Sequence, residues 1–280
     1  MSIIKIDDIY IDELIEKIVA GIKDFADSSG FKKAHLGLSG GIDSALVAYL
    51  AGSALGGENV CCINNPSRFS SQGSKDDAEE LAKNLGSSYI SIPIEECFTA
   101  FLSTLKPVFN DLPFDVTEEN LQSRIRGVIW MAYSNKFGSM LLNASNKSEI
   151  AMGYCTLYGD AIGAVSPIGD LYKTQVFAMC KRINRLSLEK GKKAVIPEAI
   201  INKAPSAELR PNQKDEDSLP PYDVLDSILG LHLESHLNRD EIINKGWDAE
   251  LVDKIIRTVK WAEFKRRQLP PAIKVSDNPF

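Results

Sequence analysis

Apolar residues at Ile11, Leu14, Ile15, Ile18, Val19, Ile22 and Phe25 recur at intervals of three and four, which predicts an amphipathic helix ended by Gly30. The period then changes. Ala34, Leu36 and Leu38 alternate with other residues in a short strand-like run that ends at Ser39-Gly40-Gly41, and an apolar helix opens at Asp43-Ser44 and reaches about Leu55. The rhythm repeats with a strand near Val60 to Ile63, a helix near Lys75 to Leu85 and a strand near Ser88 to Ile94. Helices near Glu95 to Phe109 and Glu118 to Phe137 follow, the second with Thr117 as its expected N-cap, and then a strand at Met140 to Asn143. Strands separated by helices predict an α/β fold, a doubly wound parallel sheet with helices on both faces. Helical spacing returns around Val224 to Leu233 and Leu251 to Phe264, before a Pro-rich tail. Two stretches rich in Pro, Ser, Asn, Gln and Gly, Asn65 to Ser74 and Asn202 to Pro221, break the rhythm and are read as lids.

Composition narrows this picture. The 280 residues are 44% apolar and 25% charged, enough for a sizeable core, and no internal repeat or composition shift divides them, so one domain over 1–280 is expected. The longest unbroken apolar run, Ala45 to Ala51, is far short of the roughly 18 residues a membrane span needs. Met1 to Asp8 has neither a basic start nor an apolar stretch marking it for secretion, so a cytoplasmic setting is expected. Five cysteines without Cys-x-x-Cys spacing argue against a disulfide framework and a zinc ribbon. His232 and His236 stand four apart with no third ligand at a meaningful spacing, and no metal is assigned to histidine. A net charge of −6 leaves no basic field for a nucleic acid.

The most informative residues are Gly37-Leu38-Ser39-Gly40-Gly41-Ile42-Asp43-Ser44, because they join a strand end to a helix start. Ligands dock at that edge of doubly wound sheets. The glycines let main-chain N–H groups point into the bend and the following helix adds a partial positive end, so a polyphosphate fits. The loop is neither a Walker A sequence nor Gly-x-Gly-x-x-Gly. A carboxylate inside such a loop opposes a phosphate unless a divalent cation lies between them, so Asp43 predicts Mg²⁺.

Ser39-Gly40-Gly41-Ile42-Asp43-Ser44 resembles the signature of the N-type ATP pyrophosphatases, which cleave ATP between the α and β phosphates. Further segments resemble the NAD synthetases among them. These are Asn143 to Glu149 continuing through Thr156 to Asp160 and Asp170 to Gln175, then Pro205 to Leu209 with Asp215 to Asp223, and Lys265 to Gln268 with Pro270-Pro271. Pro66 to Arg68 and Asn120 to Arg124 extend the resemblance over almost the whole chain.

The resemblance implies ATP as co-substrate, held by residues 37 to 44 with Ala144, Lys173 and Ser206, the last in a mobile lid. Mg²⁺ would sit on Asp43 and Glu149. Asn120, Arg124 and Lys265 would bind deamido-NAD, partly across a homodimer interface, and Asp160 would orient the nicotinate end or ammonia. Asp43, Lys173 and Asp160 are the expected catalytic set. Many family members carry threonine where this chain has Ala144, so either Ser145 substitutes or a contact to ATP is missing. Spacing alone leaves plainer roles open: a helix-start acid for Glu149, a surface lysine for Lys173, a turn residue for Ser206, and a solvated helix face for Arg124 and Arg126.

The implied reaction joins deamido-NAD and ammonia at the expense of ATP through an adenylate, giving NAD, AMP and pyrophosphate. The wording of the segments is closer to the synthetase portion of glutamine-dependent members, yet 280 residues leave no room for an attached amidase, so free ammonia or a separate glutamine amidase is expected to supply nitrogen. The alternatives are a GMP synthetase or tRNA thiolase, and a nucleotide sensor that keeps the fold without turnover. Cys155 has no histidine near it in sequence and is not expected to act as a nucleophile.

Overall fold

The computed structural model describes residues 4–280, so Met1 to Ile3 of the N-terminal segment read above lie outside the described residues. Helix α1 (Asp8–Ser29) is capped by Asp7, which accepts from the Tyr10 N–H, and stops at Gly30. It buries Ile11, Leu14, Ile18, Ile22 and Ala26 as one stripe, the face its spacing predicted. β1 (Ala34–Gly37), α2 (Ile42–Leu55), β2 (Val60–Asn64), α3 (Gln72–Leu85) and β3 (Ser88–Ser91) continue the alternation. α4 (Glu95–Phe109), α5 (Val116–Phe137) and β4 (Met140–Leu141) complete the predicted set. The C-terminal part adds α6 (Lys147–Met152), α7 (Lys173–Glu189), α8 (Glu198–Asn202), α9 (Tyr222–Leu233), α10 (Arg239–Ile243), α11 (Ala249–Trp261) and α12 (Glu263–Arg266).

All pairings among the four strands are parallel, in the order β3-β2-β1-β4. Alternation along β1 shows both faces covered. Ala34, Leu36 and Leu38 enter the large core with α1, α2 and α7, while the His35 ring on the opposite face lies 3.0 Å from the Trp130 carbonyl and 4.9 Å from the Tyr133 ring of α5. Gly37 shares that second face, where a Cβ would stand 2.2 Å from the Trp130 indole, so only glycine lets α5 lie so close. α2 is buried at most positions because it lies between the sheet and helices α1 and α7. A second apolar cluster unites α9 and α11 with Ala151, Met152 and Tyr172.

Several boundaries differ from the sequence reading for physical reasons. Asp115, not Thr117, caps α5: its carboxylate accepts from the Thr117 N–H while Glu118 accepts from the Asp115 N–H, a reciprocal box that starts the helix earlier. Ser71 caps α3, so the first lid stretch becomes helical at Gln72. β3 pairs only through Ser91, and β4 continues past Leu141 only as an isolated bridge from Leu142 to Val165. Chain order reverses direction across the sheet between β1 and β4, and the crevice beyond their C-terminal ends is where such folds bind ligands.

Candidate active site

The loop leaving β1 wraps around its own hydroxyls. Ser44 Oγ donates to the Gly41 carbonyl at 3.0 Å and accepts from the Ser39 N–H at 3.3 Å, and the Gly41 N–H donates to Ser39 Oγ at 3.2 Å. Gly40 takes φ +82°, and a Cβ there would stand 2.2 Å from the Ser74 carbonyl, so glycine is required twice over. No side chain caps the first turn of α2 at Gly41, which leaves N–H groups directed at the crevice for an anion.

Asp43 meets two residues delivered by other elements. Asn146, N-cap of α6, donates to Asp43 Oδ1 at 2.8 Å, and its own Oδ1 accepts from the Glu149 N–H at 3.0 Å, which fixes Glu149 beside Asp43. Lys173 is the first residue of α7. Its N–H donates to Ser148 Oγ at 2.9 Å and the Thr174 N–H to Asp226 at 2.8 Å, so the helix start is anchored before its side chain reaches inward. Lys173 Nζ then lies 2.5 Å from Asp43 Oδ2 and 3.1 Å from Glu149 Oε1, above the Tyr222 ring.

Electrostatics at this pole are strained by like charge. Burial pushes the Glu149 carboxyl up to about 8, and the carboxylates of Asp43 and Asp215 push the same way against the relief from Lys173. Burial acts to lower the Lys173 ammonium, but Asp43 and Glu149 outweigh it and hold the group charged well above its ordinary range. Asp215, accepting from Tyr222 at 2.8 Å, is raised chiefly by burial. Among the described residues no group of three or more His, Cys, Asp and Glu gathers as a metal site. Two crowded carboxylates still fit a Mg²⁺ ion, which keeps most of its waters or takes substrate phosphates as its other ligands.

Most of the expected residues come together. Gly37, Leu38, Ser39, Gly41, Ile42, Asp43, Ser44, Ala144, Glu149, Asp160, Lys173 and Ser206 line one cavity of about 260 Å³, while Gly40 forms the turn and does not line it. Ser145 lines it beside Ala144, its N–H held by Asn143 Oδ1. Asp160 accepts from Ser123 Oγ at 3.1 Å and the Thr156 N–H at 2.7 Å, and burial raises it despite these bonds.

Asn120, Arg124 and Lys265 are not among the residues lining that cavity. They surround the segment from Gly153 to Asp160 instead: Asn120 accepts from Thr156 Oγ1, Arg124 donates to the Leu157 carbonyl, and Lys265 donates to the carbonyls of Gly153 and Cys155.

Sequence reasoning assigned no role to Asn146, Tyr154, Lys203 or Glu208, and left a solvated helix face open for Arg126. Glu208 bridges the two lid stretches, accepting from the Ser71 N–H at 3.2 Å, Ser74 Oγ at 2.7 Å and Lys203 Nζ at 2.6 Å. The glutamate lay inside the quoted Pro-Ser-Ala-Glu-Leu segment, but two of its partners, Ser71 and Ser74, are more than 130 residues away.

A strand-loop-helix turn facing a buried lysine and two carboxylates across a parallel sheet's switch point is the layout at which α/β folds of this kind take ligands. The family model for NAD synthase matches residues 14–270, and the chain belongs to that family. A glutamine-dependent NAD(+) synthetase of Synechocystis is 52% identical over 96% of this chain and 47% of its own length. The glutamine-dependent NAD+ synthetase of Acinetobacter baumannii, solved with ADP, is 41% identical, with a TM-score of 0.67 over 96% of this chain and 48% of that one. The NH3-dependent NAD synthetase of Campylobacter jejuni, solved with nitrate, is 29% identical, with a TM-score of 0.74 over 95% of this chain and 99% of that one. The chain thus spans about half the length of the curated relatives it matches.

Proposed function

We propose that this chain amidates deamido-NAD with ammonia at the expense of ATP, releasing NAD, AMP and pyrophosphate. The observation that carries the reading is the meeting of Asp43, Glu149 and Lys173 at the open N-terminus of α2, within a cavity whose other wall presents Asp160. The family match narrows the chemistry to NAD synthesis.

Residues 39–44 seat the β and γ phosphates on backbone N–H groups and the Ser39 and Ser44 hydroxyls. Mg²⁺, when bound by Asp43 and Glu149, supplies positive charge to the pyrophosphate. A nicotinate carboxylate oxygen attacks the α phosphorus, and the bond to the β-phosphate oxygen breaks. Lys173, held charged, stabilises the pyrophosphate as its charge grows. Ammonia then attacks the acyl carbon, AMP leaves with the bridging oxygen, and the nitrogen loses a proton. Asp160, fixed by Ser123 and Thr156, orients the nitrogen nucleophile. Ser206 closes over the phosphates on the lid that Glu208 secures, which keeps water from the mixed anhydride.

Where glutamine is the ultimate nitrogen source, its hydrolysis falls to an amidase outside the described residues. Among the described residues no cysteine is hydrogen-bonded to a histidine, and burial pushes the Cys155 thiol up to about 12, so no glutaminase nucleophile is prepared here. Two copies pair through the outer face of α5, where Val128, Met131 and Phe137 are exposed near Arg124, placing the Asn120–Lys265 region at the seam. No helix of the described residues is long and apolar enough to cross a membrane, and a cytoplasmic setting belongs to the same reading.

The test is to incubate the protein with ATP, Mg²⁺, deamido-NAD and ammonium and to quantify products. Equimolar NAD, AMP and pyrophosphate support the reading. ATP binding without AMP points to a sensor, and AMP formed only with xanthylate points to GMP synthesis.

A further inference from the structure

Four cationic side chains line the cavity: Lys75, Arg126, Lys173 and Lys203. Lys173 is committed to Asp43 and Glu149, and Lys203 to Glu208, while Lys75 makes no ion pair among the described residues but offers a single ammonium and no fork. Arg126 is different. It projects from the face of α5 that carries Trp130 one turn later, and both residues grip Asn65 at the end of β2: Arg126 Nε donates to the Asn65 carbonyl at 2.9 Å and Trp130 Nε1 to Asn65 Oδ1 at 2.6 Å. One bond fixes the guanidinium, and among the described residues no protein group accepts from its two terminal nitrogens. A guanidinium is a rigid fork of donors, shaped to take a carboxylate with two parallel bonds.

Its place in the cavity says which anion it serves. The carboxylates that act on Lys173 are Asp43, Glu149 and Asp215, whereas those that act on Arg126 are Asp160 and Glu208, a separate set. The two cations therefore mark two poles, one on the α2 and α7 side of the sheet and one on the α5 side. In a displacement at the α phosphorus, nucleophile and leaving group lie roughly in line on opposite sides. With pyrophosphate at the Lys173 pole, the attacking group stands at the Arg126 pole. There a substrate carboxylate would meet the negative charge of Asp160, and of Glu208 already shared with Lys203, and Arg126 is the one arginine among the described residues that line the cavity. Burial also lowers Arg126 to about 10, the mark of a guanidinium held out of water without full compensation.

We infer that Arg126 grips the nicotinate carboxylate of deamido-NAD through its two terminal nitrogens, and so both selects the acid over the amide and aims it at the α phosphorus. The assignment rests on the proposed function. It makes Arg126 a discriminator between substrate and product, since NAD has an amide where deamido-NAD has a carboxylate.

The test compares Arg126→Gln and Arg126→Lys with the wild-type protein, by calorimetric binding of deamido-NAD and of NAD and by steady-state kinetics. Arg126→Gln is expected to weaken deamido-NAD roughly 100-fold while NAD affinity and the KM for ATP change less than about threefold. Arg126→Lys keeps the charge, loses the fork and should fall between. If Arg126 only clamps Asn65, both dinucleotides and ATP weaken together, and that result overturns the assignment, as does unchanged deamido-NAD affinity. Should Arg126→Gln fail to fold, Arg126→Lys decides by the same ratio of deamido-NAD to NAD affinity. Wild-type protein that makes no NAD refutes the functional reading itself, whereas active wild-type protein with an unchanged ratio in the variants refutes the Arg126 assignment alone.

Discussion

Lys173 Nζ stands 2.5 Å from Asp43 Oδ2, joining the first residue of α7 to the first turn of α2 across 130 residues of sequence. The same ammonium also bonds Glu149, the three groups face a cavity, and the proposed function makes the pair part of the reaction. Asp43→Asn should therefore cut turnover by roughly 10²–10³. Thermal stability should change little, since Asn146 can still bond position 43 and Glu149 still pairs Lys173. Steady-state rates beside a melting curve check this, and an Asp43→Asn variant with wild-type kcat would remove the residue from the reaction.

Glu208 holds the lid by four donors, from the Ser71 N–H, Ser71 Oγ, Ser74 Oγ and Lys203. Charged hydrogen bonds of this kind contribute about 1.5–3 kcal/mol each, so their loss in Glu208→Ala should shift the lid towards open by tenfold or more. On the proposed function an open lid admits water to the adenylate. The expected readout is AMP released in excess of NAD, with Glu208→Gln intermediate; a 1:1 ratio in Glu208→Ala would mean that the lid does not protect the intermediate.

His35 gives a pH dependence away from the site. Burial lowers its pKa to about 4, and its Nε2–H donates to the Trp130 carbonyl. The unfolded chain protonates near 6.5 while the folded one resists, so stability is unaffected by this group above pH 7 and falls as pH drops from about 6.5 towards 4. At pH 5 the loss is about 2 kcal/mol. Urea titrations at pH 7.5 and 5.0 should show His35→Gln losing less stability than the wild type by about that amount. Equal slopes for the two proteins would show that His35 is not held neutral.

Much of the fold was legible because its signals are local. The stripe of α1, the strand-glycine-helix order from Ala34 to Leu55 and the alternation into α5 each follow from periodicity over a dozen residues. Asp43, Glu149 and Lys173 were legible for another reason: each sits where a helix begins in a segment that resembles a known family. Asn146 and Glu208 lay inside such segments too, but their roles arise from bonds to Asp43, 103 residues away, and to Ser71 and Ser74, more than 130 residues away. Arg126 and Arg124 look alike in sequence. Only the packing of helix α5 on β1 and β4 turns one inward to the cavity and leaves the other exposed. The Thr117 cap failed on a narrower point, since Asp115 two residues earlier competes for the same N–H groups and has Glu118 to complete the box.

The central claim is that the carboxylate itself attacks the α phosphorus, and oxygen tracing tests it most directly. Deamido-NAD labelled with ¹⁸O in the nicotinate carboxylate should be turned over with ATP, Mg²⁺ and ammonium, and the products examined by mass spectrometry. The account predicts one ¹⁸O transferred to each AMP, with pyrophosphate unlabelled and the other oxygen kept in the amide of NAD. Label in inorganic phosphate with ADP as co-product, or AMP free of ¹⁸O, would contradict it.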